Sequence, residues 1–259
     1  MNKTYILSIQ NQQLAQKLSR YTGRVYSKTV STVKKIKRSK DIWLNESNMK
    51  KLIKLYSSDF PLHSQTKQAI IEQYFNNLDG FFNACKNSDT ARPPYRTKKY
   101  NKVVYKKSAL NYKEGRLRLS NGRKGVALII NVPDLNSQPK YAEIIYHSDK
   151  AKYMLHVVVD IVSEEYELNQ DKVLSIDPGI IHPMVVFDGK NVKIYNGGKL
   201  NSYIRYRNKE LASLQNKISR CQKGSKRWRK LNRAKQMLLS KSRNKIKDVL
   251  QKYTSHLVS

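Results

Sequence analysis

Acidic residues are scarce in this chain of 259 residues, where 19 Asp and Glu stand against 51 Lys and Arg for a formal net charge of +32. Such an imbalance creates a strong positive field and calls for a polyanionic partner. Long apolar runs are missing too. No stretch approaches the ~18–20 residues that span a bilayer, and residues 1–9 are too short and mixed for a secretory signal. The expected polyanion is therefore nucleic acid and not lipid. Cysteine is nearly absent. Cys85 and Cys221 lie far apart and outside any C-x-x-C pair, which offers no structural zinc site and no disulfide framework and suits a reducing cytoplasm or nucleoid. The histidines (His63, His147, His156, His182 and His256) lack metal-ligand spacing and read as isolated side chains. A Gly-rich phosphate loop, a Ser-His-Asp arrangement, a paired-acid glycosidase pattern and an internal repeat are all lacking.

What is present falls into blocks. Residues 1–9 read as a lone strand. Leu14, Leu18, Tyr21 and Val25 then recur at helical spacing. A second helix is expected near Asn45, with Met49, Leu52, Ile53 and Tyr56 as its stripe, ended by Phe60-Pro61. A third starts near Ser64 and carries Ile70, Tyr74, Leu78, Phe81 and Cys85 on one face. Lys34-Lys35-Ile36-Lys37-Arg38-Ser39-Lys40 reads as a basic connecting stretch. After Arg92-Pro93-Pro94-Tyr95-Arg96, which no helix interior accommodates, strands are expected at Val103–Lys107, Arg116–Ser120, Val126–Val132, Ala142–His147 and Tyr153–Val162. Gly115, Asn121-Gly122, Gly125, Pro133-Asp134 and Ser148-Asp149 supply the turns. Short strands at this spacing suggest an antiparallel barrel that the first strand would close, interrupted by a helical insertion. The acidic stretch Ser163-Glu164-Glu165-Tyr166-Glu167 marks a boundary, near which the first part should separate from the rest.

Beyond it, Val173-Leu174-Ser175-Ile176-Asp177 reads as a buried strand that delivers a carboxylate straight to the turn Pro178-Gly179. A metal-dependent nuclease presents its first ligand in this way, although strand-end aspartates are also common turn formers. Met184–Phe187 and Val192–Tyr195 read as the next strands, with Asp188-Gly189 as a two-residue hairpin. The chain then finishes in an antiparallel helical hairpin. Leu200, Ile204, Leu211, Leu214, Ile218 and Cys221 line its first arm, Gly224-Ser225 breaks it, and Trp228, Leu231, Leu238, Ile246, Val249, Tyr253 and Leu257 line the second. Residues 199–259 hold 18 Lys and Arg against only Glu210 and Asp248, a net +16 and half the chain's total. An ordinary solvated helix face mixes signs; this one is almost wholly cationic.

Candidate phosphate contacts are Lys34, Lys35, Lys37 and Arg38, the proline-stiffened Arg92, Arg96, Lys98 and Lys99, and Lys226, Arg227, Arg229, Lys230 and Arg233 at the hairpin. Trp43, Trp228, Tyr95, Tyr100 and Tyr105 are candidates for base stacking, against the usual fate of aromatics at helical spacing, which is core.

The order of motifs carries a resemblance. Arg92-Pro93-Pro94-Tyr95-Arg96, Leu117-Arg118-Leu119, Ile176-Asp177-Pro178-Gly179-Ile180 and a basic hairpin with Gly224-Ser225-Lys226 at its tip resemble the transposon-encoded OrfB/TnpB family. These are RNA-guided nucleases related to type V CRISPR effectors. The resemblance implies an α+β protein of several parts: a wedge-type antiparallel β-barrel (1–10 and 93–165), a helical recognition insertion (11–92) and a RuvC/RNase H-like α/β domain (172–259) with the basic helical hairpin. It implies a guide RNA and a double-stranded DNA target as partners. It also implies three carboxylates holding two Mg²⁺ or Mn²⁺ ions about 4 Å apart, with Asp177 as the first carboxylate, and a zinc site only in a C-terminal part. No Asp or Glu after Asp177 lies on a second suitable strand, so the domain is expected to be incomplete, truncated before its second and third motifs and unable to cut alone. The alternatives are a non-catalytic RNA-guided or RNA-binding regulator and a basic structural RNA-binding protein.

Overall fold

The computed structural model describes residues 2–56, 60–132, 135, 137–161 and 173–258. The chain divides into two compact units, Met1–His147 with Lys152–Ser163, and Glu164–Ser259 with Ser148–Ala151. The turn expected at 133–134 and the acidic boundary at 163–167 lie outside the described residues.

In the first unit, strand β1 (Asn2–Ser8) leads into helix α1 (Gln12–Lys40). The Asn11 side chain caps α1 by accepting from the Leu14 N–H at 2.9 Å, which satisfies one of the orphan donors of the first turn. Ala15, Leu18, Thr22, Val25, Thr29 and Val33 form its buried face, three or four residues apart. Residues 34–40 are not a connecting stretch. They are the last turns of α1, because Lys and Arg are good helix formers, Val33 keeps the face buried, and cations complement the negative end of the helix dipole. The helix stops at Asp41, in the left-handed region (φ 54°), whose N–H reaches the Lys37 carbonyl at 3.0 Å. Helix α2 (Glu46–Tyr56) is capped by Asn45 Oδ1, which accepts from the Asn48 N–H at 2.8 Å. Helix α3 (Ser64–Cys85) is capped one residue before the expected serine, by His63 Nδ1 accepting from the Gln65 N–H.

The strands expected as one barrel lie in two antiparallel sheets among the described residues. The first contains β2 (Val103–Lys106), β6 (Pro139–His147) and β7 (Lys152–Asp160) with β1, in the order β1-β7-β6-β2. The second contains β3 (Leu110–Lys113), β4 (Arg116–Leu119) and β5 (Leu128–Asn131). Strand β3 was not expected. It is set by a two-residue turn in which both Glu114 (φ 49°) and Gly115 (φ 71°) are left-handed, the hairpin geometry that matches strand twist. Helices and sheets bury each other in one core: Leu18, Val25, Ile70, Tyr74, Tyr105, Leu117, Ile144 and Leu155 all belong to it. Glu72 on α3 ties that core's rim together, accepting from Lys50 on α2 at 2.9 Å and from Lys106 on β2 at 2.7 Å.

Segment 98–101 runs against α1. Ser27 Oγ donates to the Lys98 carbonyl and accepts from the Lys98 N–H, while Ser19 Oγ and Thr22 Oγ1 donate to the Asn101 carbonyl. Gly23 lies between these serines, and a Cβ there would come within 2.6 Å of the Lys99 carbonyl carbon. Only hydrogen fits.

The second unit pairs β8 (Ser175–Asp177), β9 (Met184–Phe187) and β10 (Val192–Tyr195) in the order β10-β9-β8, all antiparallel, followed by α4 (Gly198–Ser219) and α5 (Lys226–Val258). The β9–β10 loop spans four residues, not two. Asp188 Oδ1 accepts from the N–H groups of Lys190 and Asn191, so its carboxylate replaces backbone pairing across the loop. The end of α5 is fastened to β10, with Tyr253 donating to the Asn196 carbonyl and Tyr195 paired with His256 Nδ1 at 2.9 Å. Ser225 Oγ caps α5 through the Trp228 N–H. No described helix is long and apolar enough to cross a membrane.

Candidate nucleic-acid interface and the Asp177 sheet

The α4–α5 hairpin presents its charge outward. Of the 18 basic side chains in 199–259, only Arg207 and Lys235 are partly covered; the others are exposed. Lys226, Arg227, Arg229, Lys230 and Arg233 make no ion pair among the described residues, whereas Asp248 takes up Lys252 at 2.9 Å.

The first unit sorts its candidates differently. Lys35, Arg38, Arg92, Arg96 and Lys99 are exposed. Lys37 is bound to Asp41 at 2.6 Å and lies over the Trp43 ring. Lys34 sits 5.4 Å from the Tyr95 ring centre. Lys98 turns inward, with its ammonium 4.1 Å from the Tyr26 ring centre. Burial, then the neighbouring Lys102 and Arg96, pushes its pKa below the ordinary lysine value. Tyr105 is fully buried and donates to Asn121 Oδ1 at 2.8 Å, which removes it from the stacking candidates. Trp43 packs with Phe81 and Phe82 at the edge of the core.

Asp177 ends β8, opposite Val185 of β9. The strand was expected to be buried but is exposed along its length. Among the described residues it is an edge strand with one neighbour, and the sheet face that carries Asp177 is open. Directly opposed residues share a face, which places Asp177 with Val185, Phe187, Val192 and Ile194. Phe187, Val192 and Ile194 are 45, 59 and 60 % exposed. Val186, on the other face, is buried. The nearest acid along the sheet, Asp188, lies three residues past the Asp177 partner, roughly 10 Å along the strand. Hydrogen bonds from the Asn191 and Lys190 N–H groups hold its carboxyl below the usual carboxylate range. Among the described residues no group of three or more His, Cys, Asp or Glu could hold a metal ion.

Sequence spacing missed two groupings. His147 and His156, read as isolated, lie with their Nε2 atoms 2.7 Å apart because β6 and β7 pair as a hairpin. Tyr203 and Tyr206 face a groove between α4 and α5. Two tyrosines three residues apart inside a basic helix were the available signal.

Residues 156–259 match the family model OrfB_IS605, described as a probable transposase. No curated protein shows a significant match. Among solved structures the chain is similar to Cas12f1 in a cryo-EM complex with sgRNA and target DNA. That similarity has a TM-score of 0.55 at 12% identity, over 95% of this chain and 61% of that one. A Cas12f ternary complex matches with a TM-score of 0.42 at 13% identity, over 95% and 59%. The chain thus spans about three fifths of the length of these solved proteins. Residues 156–259, from β7 through α5, thus carry the match to the probable-transposase family model, and the mixed α+β fold with antiparallel sheets is similar to that of Cas12f1.

Proposed function

We propose that this protein holds a guide RNA and, through it, a double-stranded DNA target, in the service of a transposable element. The observation that carries the assignment is the α4–α5 hairpin, where 18 cations meet two acids and nearly all face solvent. A phosphate backbone is the partner that neutralises such a surface, with release of counterions. The two sheets of the first unit act together as the wedge-type barrel, α1–α3 as the recognition insertion, and 172–259 as a RuvC-like domain. The sgRNA and target DNA held by Cas12f1 support the choice of partners.

Asp177 is the carboxylate of that domain positioned for a Mg²⁺ or Mn²⁺ ion. The described residues do not fit a resident two-metal centre. One carboxylate stands on the open face, and a Mg²⁺ ion held by a single side chain stays mostly hydrated. We therefore assign binding, and not strand cleavage, to this chain. The same lone carboxylate favours, as a second reading, a regulator that keeps the grip and never cuts.

A salt titration of structured-RNA binding tests the assignment. Affinity should fall by orders of magnitude from low to moderate salt, with a log–log slope of about −0.7 to −0.9 per phosphate neutralised. A slope of only around −1 would contradict an extended groove. Asp177→Ala should leave RNA affinity within a few-fold. If RNA binding is lost, Asp177 is a structural turn residue instead.

A further inference from the structure

The groove between α4 and α5 has features that phosphate tracking does not require. It encloses about 430 Å³. Tyr203 and Tyr206 of α4 line it together with Ala234, Leu238, Lys241 and Lys245 of α5. The Lys245 ammonium already lies 5.0 Å from the Tyr203 ring centre. The Tyr206 ring, 61 % exposed, remains open to a ligand. Ser242 lines the same groove and is 7 % exposed, and its hydroxyl has no hydrogen-bond partner among the described residues. A buried hydroxyl left unpaired is destabilising, so a polar ligand edge at this position would relieve it.

We propose that this groove receives an unstacked base of a single-stranded nucleic acid. The base stacks on Tyr206, its polar edge meets the Ser242 hydroxyl, and Lys241 and Lys245 hold the flanking phosphates. An aromatic face beside two cations and one buried hydroxyl matches the three parts of a nucleotide: base plane, phosphate and base edge. An apolar peptide would leave the two lysines and the serine unanswered. A second copy of the chain would bring another +16 hairpin against this one, which charge repulsion opposes. A duplex keeps its base planes stacked inside, where Tyr206 does not reach. The assignment rests on the hairpin being a nucleic-acid surface and adds to it a preference for single strands.

The test uses the full chain with a short oligoadenylate carrying a single 2-aminopurine, and with the duplex of the same length. Tyr206→Ala should weaken single-strand binding about tenfold or more while duplex binding stays within about twofold, and Tyr206→Phe should restore it. Ser242→Ala should weaken single-strand binding a few-fold while the melting temperature stays level or rises, because an unpaired buried hydroxyl has been removed. Wild type should also change the 2-aminopurine emission more than Tyr206→Ala does at saturation. Equal losses on single strand and duplex, or no loss on either, would overturn the base pocket and leave the hairpin's phosphate binding standing. A dimer that dissociates on Tyr206→Ala without loss of single-strand affinity would overturn it in favour of a second copy. Failure of the wild-type chain to bind either nucleic acid would overturn the proposed function as well.

Discussion

Gly23→Ala sets helix propensity against packing, and the structure decides between them. In the middle of an exposed helix this substitution stabilises by about 1 kcal/mol, since alanine loses less backbone freedom on folding. At position 23 the new Cβ would sit 2.6 Å from the Lys99 carbonyl carbon, 2.9 Å from the Lys98 oxygen and closer still to the Lys99 oxygen. These are backbone atoms, so no side chain can swing aside. Segment 98–101 would have to withdraw by roughly 1 Å to reach ordinary contact distance. That shift stretches the bonds from Ser27 to Lys98 and from Ser19 and Thr22 to Asn101. Each is worth about 0.5–1.5 kcal/mol, so losing three or four outweighs the propensity gain and leaves a net loss of about 2–3 kcal/mol. For a unit of this size the melting temperature should fall by about 4–12 °C, measured by circular dichroism. The same segment carries Lys99, so RNA affinity at low salt should also drop a few-fold. A variant that melts at or above the wild-type temperature would show that 98–101 does not press on α1, and the placement of Lys99 would go with it.

Glu72→Gln should destabilise the first unit by about 1–2 kcal/mol at neutral pH, through the loss of charge-assisted bonds to Lys50 and Lys106. Burial alone would raise the Glu72 pKa, but hydrogen bonds from Lys106 and Lys50 outweigh it and hold the carboxyl below the ordinary glutamate value. A depressed folded pKa gives stability that is present above the unfolded value and lost as pH falls through the folded one. The gap between wild type and variant in urea melts should therefore close in acid; a gap independent of pH would refute the pairing. Replacing Arg227, Arg229, Lys230 and Arg233 together with Gln should weaken binding to all RNA sequences alike and make the salt slope shallower by about 3. An unchanged slope would place the phosphates elsewhere.

The elements were largely legible because apolar spacing states them directly. Leu18 and Val25 on α1, Met49 and Ile53 on α2, and Ile70, Tyr74 and Leu78 on α3 are buried where a helical face puts them. Charge misled at 34–40, where a run of Lys and Arg suggested a linker although those residues propagate a helix well. Strand β3 escaped because Leu110–Lys113 has only one strongly apolar position, and its turn is set by Glu114 adopting a left-handed conformation unusual for that residue. The exposure of β8 was not legible either. Val173, Leu174 and Ile176 have the composition of a buried strand, but burial depends on which strand lies beside it, and among the described residues only β9 does. Groupings of distant residues, such as His147 with His156 or Ser242 lining one groove with Tyr206, follow from register and helix phase and leave no local mark.

Partner contacts separate the cations already engaged within the fold from those with no partner among the described residues. In the first unit acids are deployed against particular lysines: Asp41 against Lys37, Glu72 against Lys50 and Lys106, Glu143 against Lys102, and Asp160 against Lys140. Tyr26 and Tyr95 occupy Lys98 and Lys34 in the same way. A side chain so engaged must give up that contact to reach a phosphate, so its net contribution to binding is small even where it lies near one. Lys35, Arg38, Arg92 and Arg96 carry no such debt among the described residues, and neither do the hairpin's Lys226, Arg227, Arg229, Lys230 and Arg233. On the proposed function, these are the residues expected to meet phosphate. Lys37 and Lys98, indistinguishable from them in sequence, are already engaged by Asp41 and Tyr26.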